Sequence, residues 1–148
     1  MTSDIIALAS DHGGFELKSL LKADLEKRGL AVLDLGTDGT ASVDYPDYAD
    51  LMAEALRAGR AQKGVLVCGT GIGISIAANR YPHVRAALAH DSFTARMARQ
   101  HNDANVLVLG GRVIGQEVAR DCLDTFLSTP FEGGRHAGRV AKMSSPRA

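Results

Sequence analysis

Cys68 stands immediately before a glycine-rich turn, Gly69-Thr70-Gly71-Ile72-Gly73, where an aliphatic run from Val65 gives way to a helical pattern ending at Arg80. Glycines at alternate positions let the backbone turn sharply and bring amide N–H groups close to a ligand. The helix that follows favours negative charge at its N-terminus, so the turn suits a phosphate or a developing oxyanion. A thiol in that place is either a small core hydrophobe, as most strand-end cysteines are, or a base or nucleophile. Thr70 adds a hydroxyl able to donate to a substrate oxygen. The spacing is not the dinucleotide G-x-G-x-x-G, because the third glycine falls one residue early, and it is not the P-loop G-x-x-x-x-G-K-[ST]. Taken alone it also reads as a plain strand-to-helix turn.

Three further stretches carry chemistry. SDHGGFELK, Ser10 to Lys18, sets an acid and an imidazole beside two glycines. Asp11 either caps the next helix or orients hydroxyls, and His12 either sits on a rim or holds a phosphate. RQHNDANV, Arg99 to Val106, offers His101 and Asn102, which also suit a helix C-terminus. EGGRHAGRV, Glu132 to Val140, puts Arg135 and Arg139 four apart on one helical face. Like charges at that spacing destabilise an isolated helix, whereas two guanidinium groups make a good clamp for a phosphate dianion. After Glu132 the chain has no acid but carries Arg135, Arg139, Lys142 and Arg147, a solvated basic face or an anion site.

The elements that position these groups alternate regularly. Aliphatic runs at Ile5–Ala9, Ala31–Leu35, Gly64–Cys68, Val84–Ala89 and Asn105–Gly110 suit strands buried on both faces. Helical patterns lie between them: Phe15–Gly29, Tyr48–Ala58, Gly73–Arg80, Ser92–Gln100 and Gln116–Leu127, with a last helix expected after Glu132. The alternation predicts one α/β domain over residues 1–148, a doubly wound, Rossmann-like five-stranded parallel sheet flanked by helices. Ligands of such sheets bind at the carboxyl ends of the strands, where strand order reverses. That edge receives Asp11 and His12, Gly69 to Gly73, His90 with Asp91, and Arg112. His101 and Asn102 precede the fifth strand and fall near the opposite edge. They serve the Cys68 site only by reaching a neighbouring subunit, so the spacing predicts an oligomer.

Composition narrows the classes. The chain has 148 residues, 45% hydrophobic and 23% charged, with 17 basic and 17 acidic side chains. A zero net charge argues against nucleic-acid binding through a global positive field. No apolar run approaches the ~20 residues of a membrane span, and the N-terminal MTSDIIALAS lacks the pattern of a signal or transit peptide, so a cytoplasmic location is expected. Cys68 and Cys122 form no disulfide framework and are read as thiols.

Together, SDHGGFELK, VDYPDYA, CGTGIGISIAANR, RQHNDANVLVLGGRVIG and EGGRHAGRV resemble the ribose-5-phosphate isomerase B family, which includes galactose-6-phosphate and allose-6-phosphate isomerases. The resemblance spans nearly the whole chain, in order and spacing. It implies isomerisation of ribose 5-phosphate to ribulose 5-phosphate through an enediolate, with no metal and no redox cofactor. Cys68 matches the proton-shuttling base and His101 the group that opens the furanose ring. Asp11, His12, Thr70, Asn102 and Arg112 match substrate contacts, and Arg135 and Arg139, with His12, match the phosphate clamp. The backbone of Gly69, Gly71, Ile72 and Gly73 matches the enediolate cradle. Some members carry a glutamate base just after the turn. Here Ile72, Gly73, Ile74, Ser75 and Ile76 offer no carboxylate, which places the chain in the cysteine-type branch. The family builds its sites between two subunits, implying a homodimer or a dimer of dimers. The competing expectations are the same chemistry on allose 6-phosphate or a tetrose phosphate, and a non-catalytic phosphate- or nucleotide-binding regulatory module.

Overall fold

The computed structural model describes residues 4–145, so Arg147 of the basic tail lies outside the described residues. Five parallel strands, β1 (Ile5–Ser10), β2 (Ala31–Asp34), β3 (Lys63–Cys68), β4 (Ala86–Leu88) and β5 (Val106–Gly110), form one sheet in the order β2-β1-β3-β5-β4. Six helices cover it: α1 (Phe15–Lys27), α2 (Tyr45–Arg57), α3 (Ile72–Ala78), α4 (Ser92–Asn102), α5 (Gln116–Ser128) and α6 (Arg135–Met143). A 3-10 turn, His12–Gly14, leads into α1. Strand order reverses between β1 and β3, which is where the doubly wound fold opens a ligand crevice.

The central strands are apolar throughout because both faces are covered. Ile6, Leu8, Val65, Val67, Leu107 and Leu109 pack under α1, α4 and α5, where Leu21, Leu25, Leu123 and Phe126 meet them. Ala7, Ala9, Leu66, Cys68, Val106 and Val108 face α2 and α3, against Met52 and Ile74. The sheet therefore separates the two free thiols, with Cys68 on one face and Cys122 on the other. Burial raises the Cys122 thiol to about 11.

Three of the shifts from the element boundaries expected from sequence have a visible cause. The helix expected from Tyr48 starts at Tyr45, because Pro46 sits in the first turn, where its missing N–H needs no acceptor. The strand expected over Val84–Ala89 is ordered only over Ala86–Leu88. Its preceding residues spend their donors elsewhere: Val84 N–H closes a turn on the Tyr81 carbonyl, and Arg85 N–H goes to Asn105 Oδ1. Helix α4 runs through His101 and Asn102, and Asp103 adopts the left-handed cap at φ +46°.

One buried charge braces the β2 end of the crevice. Lys18 of α1 is 1% exposed and donates from Nζ to Asp34 Oδ1 at 2.6 Å and to the Thr37 carbonyl at 2.8 Å. Asp34 also accepts from Gly36 N–H at 2.9 Å and from Lys22 Nζ at 3.3 Å. Burial raises its carboxyl, but the bonds from Lys18 and Gly36 outweigh that and hold it below the ordinary 3.8. This ties down the loop that follows β2.

Candidate active site

Strand β3 delivers Cys68 to the carboxyl edge of the sheet, buried to 5% exposure, and the turn after it folds back over the sulfur. Gly71 N–H donates to Cys68 Sγ at 3.1 Å. Gly71 itself is left-handed, φ +81°, immediately before α3. A Cβ there would lie 2.6 Å from Leu88 Cδ1 and 3.1 Å from the Leu109 carbonyl, so the position takes only glycine without strain. Thr70 Oγ1 accepts from Ile72 N–H at 3.2 Å, which leaves its own hydrogen to donate outward. The Gly71 and Ile72 amides thus serve the thiol and the hydroxyl in this structure.

Neighbouring loops close on the turn through backbone. A Cβ on Gly13 would come within 3.1 Å of the Gly69 nitrogen, and one on Gly110 within 2.6 Å of the Thr70 carbonyl. Gly111 N–H donates to the Cys68 carbonyl at 2.8 Å and Arg112 N–H to the Gly69 carbonyl at 2.9 Å. The exposed Arg112 side chain lies over Gly69: a Cβ on that glycine would sit 3.3 Å from Nη1. On the α2 side, the Tyr45 ring packs on Gly73, where a Cβ would meet it at 2.6 Å.

Asp11 is buried and caps the 3-10 turn, accepting from Gly14 N–H at 3.1 Å. His12 Nδ1 accepts from Val43 N–H at 3.2 Å, which fixes the tautomer with the proton on Nε2, the nitrogen left to donate. His90, also at this edge, accepts from Gly110 N–H through Nε2 at 3.2 Å, and Asp91 caps α4 through Thr94 N–H at 2.7 Å. Both are engaged in holding the frame.

A second cluster forms at the other end of the sheet. His101, in the last turn of α4, stacks on His136 of α6 with ring centroids 4.3 Å apart and planes 14° apart. Glu132 Oε1 lies 3.9 Å from His101 Nε2 and 3.6 Å from His136 Nε2. Burial, together with the charges of His101 and Arg135, holds the His136 imidazole below its ordinary 6.5. Arg135 and Arg139 are exposed, and neither pairs with a carboxylate among the described residues. Asn102 is exposed and lines a cavity of about 530 Å³ with Asn79, Tyr81, Arg85 and Met143, away from the Cys68 crevice.

The structure therefore brings Asp11, His12, Cys68, Gly69 to Gly73 and Arg112 together at the carboxyl edge. It gathers His101, Asn102, Arg135 and Arg139 around the end of α4 and α6 instead. Sequence reasoning missed Tyr45, Lys18 and His136. Only His136 carried a signal, its place between the two expected clamp arginines.

The crevice at the switch point holds a thiol and a hydroxyl over a glycine turn, without the spacing that cradles a dinucleotide or a nucleoside triphosphate. Fold and crevice together define a doubly wound α/β protein with a chemically equipped site at its switch point. Residues 6–143 match the family described as Ribose/Galactose Isomerase, and the chain belongs to that family. A ribose 5-phosphate isomerase structure from Thermotoga maritima is 52% identical, with 98% of this chain and 100% of that one covered and a TM-score of 0.96. Ribose-5-phosphate isomerase B of Escherichia coli (strain K12) is 45% identical over 140 residues, covering 95% of this chain and 94% of that protein. A D-erythrulose-4-phosphate isomerase of Pectobacterium atrosepticum is 42% identical over 139 residues, 93% of this chain and 91% of that protein.

Proposed function

We propose that this protein interconverts ribose 5-phosphate and ribulose 5-phosphate as a cytoplasmic homodimer, each site being shared between two chains. The observation that carries the reading is the Cys68 sulfur under the Gly71 N–H at the switch point, in a chain of this family. His101 of the neighbouring subunit opens the furanose ring by moving the proton of the anomeric hydroxyl to the ring oxygen as the bond from C-1 to that oxygen breaks, leaving the C-1 aldehyde. Cys68, as thiolate, then takes the proton from C-2 of the open aldose. The electron pair forms the C-1–C-2 double bond of the enediolate, whose oxygen is met by the Thr70 hydroxyl and amides of the glycine turn. The O-2 hydroxyl proton passes to O-1, and as the C-2–O-2 carbonyl forms Cys68 returns the carbon proton to C-1, giving the ketose. General-base catalysis contributes about 10² to 10⁴-fold and each oxyanion donor about 3 to 4 kcal/mol.

The remaining groups bind. His12 donates from Nε2, and Arg135 and Arg139 grip the phosphate dianion, with Arg112 over the turn. Asp11 and Asn102 contact sugar hydroxyls. The placement of His101 a sheet-length from Cys68 in one chain supports the shared site, as do the exposed side chains of Ile72, Ile76 and Leu88 beside the turn.

A shorter sugar is the second reading, favoured by the 42% identity to a D-erythrulose-4-phosphate isomerase. Purified protein in excess EDTA should convert ribose 5-phosphate, with allose 6-phosphate and a tetrose phosphate measured in parallel. The highest kcat/KM for ribose 5-phosphate is the expected result. A higher value for another sugar transfers the chemistry to that substrate, and binding of all three without turnover makes the protein a regulatory module.

A further inference from the structure

Glu132 and His136 have no part in the isomerisation just described, yet they converge with His101 on one point. The three groups each offer a ligand atom, and these atoms lie within 4.8 Å of one another. We propose that His101, Glu132 and His136 form a binding site for a divalent transition metal of the zinc class, and that its occupancy withdraws His101 from the sugar.

Two imidazoles and a carboxylate are a ligand set that holds zinc with its fourth position open. Zinc bonds of about 2.0 to 2.1 Å place tetrahedral ligand atoms roughly 3.3 Å apart. The carboxylate oxygen already stands 3.6 Å from His136 Nε2 and 3.9 Å from His101 Nε2. His136 is buried and His101 is half-exposed, so it is the His101 ring that must turn out of its stacked position to complete the site.

The scaffold is prepared in the chain itself. Glu132 N–H donates to the Gln100 carbonyl at 3.1 Å, which fixes the loop after α5 to the last turn of α4. His136 N–H donates to the Gly133 carbonyl at 3.0 Å, fixing the first turn of α6 to the same loop. Nitrogen ligands select zinc, copper or nickel over magnesium and calcium, which require oxygen shells. The arginines of α6 oppose a cation and weaken its binding. The site stands on geometry alone, whereas the inhibition rests on the ring-opening role proposed for His101.

The test is calorimetric titration of zinc chloride into EDTA-stripped, desalted protein in a buffer free of phosphate, with magnesium chloride in parallel. Wild type and Cys68→Ala should each bind one zinc per chain and no magnesium. Glu132→Gln and His136→Asn, each checked for native circular dichroism, should bind zinc at least tenfold more weakly. Zinc should also inhibit turnover of the cyclic sugar reversibly, with at least tenfold relief in Glu132→Gln. Unchanged zinc affinity in both ligand variants, or loss of binding in Cys68→Ala, overturns the site. Zinc binding without inhibition overturns the regulatory half. A wild type inert towards every sugar defeats the isomerase reading instead, since the titration needs no substrate.

Discussion

Mixing two inactive variants tests the shared site directly. Strand pairing sets Gly64 against Val106 and Cys68 against Gly110, so the run from one edge of the sheet to the other is about 13 Å at 3.3 Å per residue. His101 comes before β5 begins, beyond the far end of that run. If a site takes Cys68 from one chain and His101 from the other, a Cys68→Ala chain paired with a His101→Ala chain has one intact site and one doubly damaged site. Random re-pairing of equal amounts makes half the dimers mixed, so about 25% of wild-type activity per chain should return. Each parent alone should fall far lower, Cys68→Ala by about 100-fold or more. The assay is ribose 5-phosphate turnover after subunit exchange, with exchange followed by native mass spectrometry on chains of different tag mass. Mixed dimers present at the statistical level with no recovered activity would refute the geometry and return both residues to one chain's site.

Other perturbations isolate single contacts. His101→Ala should lose turnover of the cyclic sugar more than of an open-chain analogue, and equal losses would remove it from ring opening. Gly71→Ala forces a side chain into the left-handed region against the Leu109 carbonyl, so it should cost about 2 kcal/mol in denaturant unfolding and more than tenfold in kcat. Asp34→Asn weakens the charge-assisted bond from the buried Lys18 ammonium and should cost about 2 kcal/mol at pH 7, less than a fully buried pair because Asp34 is partly exposed. The folded carboxyl lies below its unfolded value, so its contribution is full above that unfolded value, about 3.9, and fades as pH falls through the folded one. The gap between wild type and Asp34→Asn in urea melts should accordingly narrow in acid, and a gap constant with pH would contradict the pairing. In the Cys68→Ala chain, Cys122 should take up a thiol reagent at pH 8 only on unfolding, as its fully buried sulfur and raised thiol value require.

The strands were legible because a sheet covered on both faces writes itself as unbroken aliphatic runs. The Cys68 turn was legible because glycines at fixed offsets have a backbone reason to be there. Less readable was anything that depends on which loop reaches which. Lys18 reads as one charged residue on an amphipathic helix, and only the fold turns it inward to Asp34 and Thr37. Tyr45 reads as part of a helix start, whereas its ring covers the first turn of a different helix. His136 sat unremarked between two arginines until α6 docked on the end of α4 and set its ring against His101. Strand β4 was overlong in the sequence reading because aliphatic residues before an edge strand look the same whether or not they find a ladder partner.

The floor of the crevice is made where Gly13 meets Gly69 and Gly110 meets Thr70, main chain against main chain. A surface without side chains offers a mutation nothing to trim and little room to add. Variation in sugar length is therefore left to the loop from Thr37 to Val43 that Lys18 and His12 pin and, where a second chain completes the proposed site, to the arginines of α6. Two isomerases 42% identical, one for a pentose phosphate and one for a tetrose phosphate, would then share one reaction bed and differ in the height of its sides. Exchanging that loop alone should move substrate preference while leaving the rate of proton transfer nearly where it was.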